Sequence, residues 1–261
     1  MDGEYHEDIV VDKPLTLEGE YYQTAIIVGT GNDSVISIEA DNVAISMLRI
    51  TNGSRNWPYA GIRIRGNGTH INKNNITDNY HGILIDKNTS EHTIEKNEIF
   101  SNMDVGIYLL HSNNNSIMNN ICNMNWNGIF IMGSSDNDIT GNSCNGNTHN
   151  GIGVDSYSIR NSIVENQCDN NGYAGIRLHL SNHTILKDNS CHNNDRGYFL
   201  SSSDYTNFRE NWAENNVFGC QISNSCHNQF KENSIISNEK GFVIWENGDA
   251  SSNNTIQHNN I

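Results

Sequence analysis

"NSCNGNTHNGIGVDS", residues 142–156, contains two short motifs that recur along the chain, N-x-C near its start and G-I-x-V near its end. The Asn that stands two residues before a buried-type residue returns at steps of 22 to 26 residues, at Asn74, Asn97, Asn120, Asn142, Asn166, Asn189, Asn211, Asn233 and Asn259. The Gly that opens the second motif returns at steps of 21 to 24 residues, at Gly61, Gly82, Gly106, Gly128, Gly151, Gly175, Gly197, Gly219 and Gly241. Because two independent columns share one period, the chain is predicted to be a repeat protein.

Each repeat carries two short pieces in which apolar and polar residues alternate, such as residues 139–144 and 151–154. This alternation predicts strands, and the Asn, Gly and Ser between the pieces predict turns. A unit of this length is one coil of a solenoid whose coils pair in parallel. A leucine-rich repeat has a similar period, but this chain is poor in Leu. The sequence therefore predicts an all-β, right-handed parallel β-helix of about eleven coils of roughly 22–23 residues.

The columns also predict the domain organisation and the role of Asn and Gly. Residues 1–60 are predicted to form irregular N-terminal coils, and residues 61–261 to form the regular coils of the same continuous domain. Stacked Asn side chains can hydrogen-bond along a ladder, and Gly allows a sharp bend, so both columns are interpreted as scaffold. We interpret the chain as part of a longer protein, because it opens without an apolar leader and ends inside an apparent strand.

The chain is strongly acidic, since 30 acidic residues against 15 basic ones give a formal net charge of −15. A protein that binds nucleic acid needs a basic footprint, so no nucleic-acid partner is expected. Anionic membrane surfaces are disfavoured for the same reason. No apolar run approaches the roughly 18 residues of a membrane span, so no membrane insertion is expected.

Repeats of the form N-x-I…N-x-x-G-I-x-I, with "EDIVVDKPLTLEGE" and "DNVAISMLRITNGS" near the N terminus, resemble the NosD-type and pectate-lyase-like right-handed β-helices. The resemblance covers nearly the whole chain and implies an extracellular, cell-surface or periplasmic protein. Its members include polysaccharide lyases, glycoside hydrolases, uronate epimerases and non-catalytic surface proteins, and NosD itself is associated with maturing a copper site. The Asp-Pro-His-Asp stretch of alginate epimerases and the N-T-D, G-H-G and R-I-K set of polygalacturonases are absent here.

One outer face is predicted to be rich in aromatic residues. In G-φ-x-φ the φ residues point inward, so the second and fourth residues after Gly, and the second before it, are expected outside. Aromatic stripes beside polar groups suit sugar rings, which have an apolar face and a hydroxyl rim. The predicted substrate-binding residues are Tyr80, Tyr108, Trp126, Phe130, His149, Tyr173 and Phe199. The alternative is a stripe covered by loops or a partner, or one formed by good cross-strand pairs.

A candidate catalytic set lies on the same predicted face. Asp155 and His179 share a column one coil apart, and Arg177 lies on the strand of His179. Gly153 is expected to leave a hollow beside Arg177, and His149 enters nearby. A carboxylate beside His and Arg suits acid–base work and the clamping of a uronate carboxylate. The alternative is an ordinary surface cluster of charges, which contributes little to stability.

Four cysteines form a further column, the cysteine column, at Cys122, Cys144, Cys168 and Cys191. Other coils place Ile or Ala in this slot, so these cysteines are predicted to be small buried hydrophobes. Parallel stacking aims their Cβ atoms poorly for disulfides, so they are expected as free thiols.

No cofactor and no metal site are expected, because no fixed ligand spacing is found. The Met-rich region around Met132 and His111 is interpreted as packing and surface. Calcium at Asp136 and Asp138 lacks the Gly-rich nonapeptide of calcium β-rolls.

Three functions remain open from the sequence. The favoured hypothesis is an extracellular or cell-surface β-helix that binds polysaccharide or a cell-surface glycan through its aromatic face. The second is an enzyme of the lyase, hydrolase or epimerase kind that uses Asp155, Arg177 and His179. The third is a structural module of a surface layer or filament, because the open edges of terminal coils allow end-to-end self-association.

Overall fold

The structure is a computed structural model that describes residues 3–21, 24–245 and 251–261. In these ranges the chain forms only short strands and turns, and no helix. The strands are β1 (Gly3–His6), β2 (Ile9–Val11), β3 (Thr16–Glu18), β4 (Ala25–Val28), β5 (Ile36–Ile38), β6 (Ala44–Ser46), β7 (Leu48–Thr51), β8 (Ala60–Ile64), β9 (His70–Asn72), β10 (Asn75–Thr77), β11 (His81–Ile85), β12 (Thr93–Glu95), β13 (Glu98–Phe100), β14 (Val105–Leu110), β15 (Ser116–Met118), β16 (Ile121–Asn123), β17 (Asn127–Met132), β18 (Asp138–Thr140), β19 (Asn150–Asp155), β20 (Ser162–Val164), β21 (Ala174–His179), β22 (Ile185–Lys187), β23 (Ser190–His192), β24 (Arg196–Ser201), β25 (Asn207–Arg209), β26 (Trp212–Glu214), β27 (Phe218–Ser223), β28 (Gln229–Lys231), β29 (Ser234–Ile236), β30 (Lys240–Trp245) and β31 (Thr255–Gln257).

The strands stack in parallel on three faces, which confirms the predicted parallel β-helix. The first face joins β1, β4, β7, β10, β13 and β16 in one sheet and β23, β26 and β29 in another, with isolated bridges at Ser143 and Gln167 between them. The long-strand face is an 11-stranded sheet in the order β2-β5-β8-β11-β14-β17-β19-β21-β24-β27-β30. The third face is an 11-stranded sheet in the order β3-β6-β9-β12-β15-β18-β20-β22-β25-β28-β31. The separation of the N-terminal coils at residue 60 stays a prediction.

Columns of apolar side chains fill the interior between the three faces. Ile, Leu and Val dominate the buried set, and aromatic rings enter it in the C-terminal half at Tyr198, Phe208 and Phe230. The Tyr198 and Phe208 rings meet edge to face, with centroids 4.7 Å apart. The Tyr198 hydroxyl donates a hydrogen bond to the carbonyl oxygen of Asn189 at 2.7 Å, so the polar end of the ring is satisfied.

The predicted Asn column forms a continuous side-chain ladder. The Nδ2 group of each member donates to the Oδ1 atom of the next member, as from Asn142 to Asn166 and from Asn166 to Asn189, both at 3.0 Å. A second ladder follows five residues later in each coil and was not recognised in the sequence. Its members are Asn79, Asn102, Asn125, Asn147, Asn171, Asn194, Asn216 and Asn238. The two ladders flank the interior positions of the first face.

The cysteine column lies in that interior, and its four members are fully buried free thiols, as predicted. Burial in the apolar core raises the pKa of the Cys122 and Cys168 thiols. Within the described residues, no helix is long and apolar enough to cross a membrane.

Candidate functional site

Four columns of outward residues run along the long-strand face. The second residues after Gly lie in one continuous register, from Arg63 through Leu84, Tyr108, Phe130, Gly153, Arg177, Phe199 and Gln221 to Val243. The column that sequence reasoning missed holds the residue before each Gly, namely Ala60, His81, Val105, Asn127, Asn150, Ala174, Arg196, Phe218 and Lys240.

The missed column lies outside because the repeat Gly bends the strand. A Cβ atom on Gly61 would lie 2.6 Å from Cγ2 of Ile76 in the core, so Gly and the apolar residue after it both face inward. Strict alternation therefore fails at Gly, and the residue before it packs with outward side chains, as Ala60 does beside Leu84. The recurring Gly was the available signal, since a Gly inside a strand often marks such a bend.

Three rings of the predicted binding set form a stack, which we call the aromatic ladder, of Trp126, His149 and Tyr173. The centroids of Trp126 and His149 lie 5.6 Å apart at an interplanar angle of 13°, and those of His149 and Tyr173 lie 4.7 Å apart at 7°. The guanidinium of Arg196 covers the Tyr173 ring, with Cζ 4.5 Å from its centroid. Phe199 meets Tyr173 edge to face at 6.1 Å.

This stacking changes how the aromatic ladder can contact a ligand. The His149 ring is covered by Trp126 on one face and by Tyr173 on the other. The Tyr173 ring is covered by His149 and by the guanidinium of Arg196. The ladder therefore presents ring edges to solvent, with the Trp126 indole N–H and the Tyr173 hydroxyl as polar groups. Trp126 has a ring contact on its His149 side only among the described residues and is 47% exposed.

Two Asn side chains fix the orientation of His149. The amide oxygen of Asn127 accepts hydrogen bonds from the Asn150 backbone N–H at 3.2 Å and from Asn150 Nδ2 at 2.9 Å. His149 Nδ1 lies 2.8 Å from Asn150 Nδ2 and 3.3 Å from Asn127 Oδ1, so both amides hold the ring in place. Burial, followed by the charge of Arg177, lowers the pKa of His149. Asn150 Oδ1 is buried without a hydrogen-bond partner.

Two members of the candidate catalytic set are joined by an ion pair. Arg177 Nη1 lies 3.0 Å from Asp155 Oδ2, and both side chains are partly buried. His179 is half-buried on the same strand as Arg177, and its Nδ1 atom is buried without a hydrogen-bond partner. His179 makes no hydrogen bond or ion pair with either of the other two residues within the described chain.

The hollow expected at Gly153 is not open, so that expectation was wrong. A Cβ atom on Gly153 would lie 2.7 Å from Cδ2 of Phe130, which means that the Phe130 ring leans over the glycine. A glycine in the next coil leaves room for this ring, and the ring buries apolar area by filling it.

Tyr80 and Tyr108 belong to a second cluster, which we call the Trp57 cluster. Trp57 lies 5.4 Å from the ring of His81 and 5.9 Å from that of Tyr108, and Tyr80 lies 4.6 Å from His81. Tyr108 was expected on the surface, but it is only 7% exposed because the Trp57 loop covers it. Its hydroxyl donates to the sulfur of Met132 at 3.0 Å. Sequence alternation gave no signal for this cover, since it depends on the path of the loop.

Burial displaces the titration of the whole Trp57 cluster. Desolvation, followed by the charge of Arg63, lowers the pKa of His81 to about 3. Burial also raises the pKa of Asp104 and, together with a hydrogen bond to Asp104, that of Tyr80. His81 Nε2 is buried without a hydrogen-bond partner. Perturbed titratable groups in contact are candidates for acid–base roles.

Fold and site together define a parallel β-helix with an aromatic and polar long-strand face. The family model of the periplasmic copper-binding protein NosD matches residues 13–171, and that of the right-handed β-helix region matches residues 153–261. The chain belongs to the NosD family. No curated protein matches it in sequence.

Solved structures of two epimerases and of a tailspike protein share the fold. The A-module of the mannuronan C-5 epimerase AlgE4 from Azotobacter vinelandii is 13% identical, with a TM-score of 0.80 over 98% of this chain and 89% of that one. The Dettilon tailspike protein is 15% identical, with a TM-score of 0.77 over 92% of this chain and 61% of that one. The periplasmic alginate epimerase AlgG is 16% identical, with a TM-score of 0.74 over 90% of this chain and 66% of that one.

The residues present do not fit a copper site of the kind that the family description suggests. Within the described ranges no three His, Cys, Asp or Glu side chains are grouped so that they could hold a metal ion. The cysteine column is sealed in the core, and the sulfur of Met132 accepts a hydrogen bond from Tyr108. Asp136, considered for calcium, is bound in two places by the guanidinium of Arg160.

Proposed function

We propose that this chain is an extracytoplasmic β-helix that binds polysaccharide along its long-strand face, at the aromatic ladder. The observation that carries the proposal is the stack of Trp126, His149 and Tyr173, in which the planes of neighbouring rings are nearly parallel. The ladder offers a row of polar ring edges held in place by packing and by Asn127 and Asn150, so little side-chain freedom is lost when hydroxyl or carboxylate oxygens bind.

The names of the family and of two structural neighbours support this proposal. Two of the structural neighbours are named as epimerases of mannuronan or alginate, and the family is named as periplasmic. A periplasmic or cell-surface location would bring the long-strand face into contact with extracellular glycans.

Binding to a panel of neutral and uronate polysaccharides, measured by affinity electrophoresis and calorimetry, tests the proposal. Trp126→Ala is expected to weaken binding about tenfold, because it removes an indole N–H donor and an apolar ring surface. Trp212→Ala is a matched control, since Trp212 is 44% exposed on the first face and also contacts a histidine ring. Equal loss in both variants, or no binding by the unchanged protein, would contradict the proposal.

A second candidate function is acid–base catalysis on a bound glycan, and the Trp57 cluster favours it. Tyr80 is hydrogen-bonded to Asp104, which places a carboxyl group beside a hydroxyl proton, and burial raises the pKa of both groups. The Asp155, Arg177 and His179 set remains the alternative centre for such a reaction.

The release of new reducing or unsaturated ends, or a change of uronate configuration, distinguishes the enzyme from the binding protein. Loss of turnover with retained binding in Asp104→Asn would place the chemistry at the Trp57 cluster, and the same result in His179→Ala would place it at the predicted set. Binding without any turnover would favour the non-catalytic function.

A further inference from the structure

A second stack of rings lies on the turns that lead into the third face, at His183, Tyr205 and His227. The centroids of His183 and Tyr205 are 4.9 Å apart at an angle of 7°, and those of Tyr205 and His227 are 4.9 Å apart at 3°. All three residues are exposed and adopt positive φ angles, of 57°, 56° and 58°.

The backbone at these positions accepts varied side chains. The left-handed region favours Gly, Asn, Asp and His, and other coils place Glu91, Asn114, Asp136, Arg160 and Asn253 in the same slot. The turn does not require aromatic rings, and their exposed edges offer imidazole and phenol groups to a ligand.

Two further outward columns lie beside the ring stack on β22, β25 and β28. The nearer one exposes Ile185, Asn207 and Gln229. The farther one stacks three cations in register, Lys187, Arg209 and Lys231. Like charges opposite each other on neighbouring strands destabilise a sheet, so this column carries an unfavourable interaction.

The flanking turn acids neutralise the two lysines but not the arginine. Lys187 Nζ lies 3.0 Å from Asp188 Oδ2 and 3.3 Å from Glu210 Oε2, and Lys231 pairs with Glu232 at 3.0 Å. Arg209 makes no ion pair within the described residues, and its Nε atom is buried without a hydrogen-bond partner. An arginine held between two lysines, with its donors unused, is a group that an anion would satisfy.

A small cavity continues the same columns toward the C terminus. It has a volume of about 200 Å³ and is lined by Gln229, Lys231, Thr255 and Gln257, among others. Amide and ammonium groups thus line a concave surface one coil beyond Arg209.

From these contacts we propose a second ligand site on the third face that binds an acidic polysaccharide, with a carboxylate or sulfate group on Arg209 and the sugar chain lying over Asn207 and Gln229 beside Tyr205. A glycan suits this surface because the exposed amides can bond hydroxyl groups. A nucleic acid suits it less, because a row of phosphates needs several unpaired cations, whereas both lysines beside Arg209 are already paired with carboxylates. The site lies on another face than the aromatic ladder, so the inference goes beyond the proposed function. With two faces occupied, one rigid molecule cross-links two glycan chains.

Binding of the full chain to a uronate polysaccharide and a sulfated polysaccharide, at low and high salt, tests the proposal. Arg209→Gln is expected to weaken binding about tenfold at low salt, because a charge-assisted hydrogen bond is lost. Arg160→Gln is the charge-matched control, since Arg160 also lies in a third-face turn but is paired with Asp136. Tyr205→Ala is expected to weaken binding as well, whereas Tyr157→Ala, at another exposed turn with positive φ, is not.

The variant Trp126→Ala distinguishes binding at this site from binding at the aromatic ladder. In that background Arg209→Gln must still reduce the remaining affinity for acidic polysaccharide, and the unchanged protein must aggregate soluble polysaccharide chains at substoichiometric amounts. Equal effects of Arg209→Gln and Arg160→Gln, the absence of binding to either acidic polysaccharide, or a complete loss of binding in Trp126→Ala alone would overturn the second site. The last result would leave the proposed function standing.

Discussion

Asn166 lies in the middle of the first Asn ladder, and its replacement by alanine tests how strongly the side-chain ladders stabilise the coils. Its Nδ2 atom lies 2.9 Å from the carbonyl oxygen of Ile139, 3.0 Å from that of Val164 and 3.0 Å from Asn189 Oδ1. Its Oδ1 atom accepts hydrogen bonds from the backbone N–H of Asn142 at 2.9 Å and from Asn142 Nδ2 at 3.0 Å.

The expected loss follows from the groups that Asn166→Ala leaves without partners. The backbone N–H of Asn142 is buried and loses its acceptor, and one such group costs about 1 to 3 kcal/mol. Two carbonyl oxygens each lose one of their donors, which adds a smaller amount because strand bonds can occupy their other lone pairs. We expect the free energy of unfolding to fall by about 2 to 4 kcal/mol.

Urea unfolding followed by tryptophan fluorescence and by circular dichroism measures this loss. Coincidence of the two signals is required, because long repeat arrays can unfold in parts. Asn207→Ala is the control: Asn207 is exposed on β25, and its replacement should change stability by about 0.5 kcal/mol or less. A loss below about 1 kcal/mol for Asn166→Ala would refute the reasoning, since the ladder would then be satisfied equally well by water.

Three further predictions concern burial. Burial lowers the pKa of His81 from its ordinary value of 6.5 to about 3 in the folded chain, so the unfolded chain binds a proton first on acidification. The contribution of His81 to stability is therefore full above pH 6.5 and is lost as the pH falls toward 3. His81→Leu should flatten the pH dependence of the urea midpoint between these two values. Tyr198→Phe should destabilise the fold by about 1 to 2 kcal/mol in urea titrations, because the carbonyl of Asn189 loses a buried donor, and an unchanged midpoint would contradict the hydrogen bond. The thiols of the cysteine column should resist a thiol reagent in the native protein and react on unfolding, so fast native labelling of all four would show that the interior is open.

The repeat period could be predicted from the sequence because each coil repeats the same local demand. Asn and Gly occupy the positions where a turn or bend requires them. Positions that align between repeats in residues 61–261 are paired with one another on neighbouring strands of the sheets. The second Asn ladder was visible as the same period five residues later, but in a chain rich in turn Asn it could not be told apart from ordinary turns.

The candidate site was predicted less completely, for reasons of side-chain direction. Gly bends each long strand, so the column of His81 and Arg196 faces outward although alternation places it inside. Phe130 leans over Gly153, and the Trp57 loop covers Tyr108, because both arrangements bury apolar surface area. Such contacts depend on coils and loops that are neighbours in space, and the pattern of residues within one repeat does not specify them.

The Asn ladders give the rod a direction. In both ladders the amide oxygen of each coil faces the preceding coil, from Asn79 to Asn238 in one and from Asn74 to Asn259 in the other. Parallel sheets contribute only small net dipoles, whereas these side-chain dipoles align, add and polarise one another. The ladder ends at Asn74 and Asn79 therefore carry the negative pole, and a cation added near them should stabilise the fold more than one added near Asn238 or Asn259.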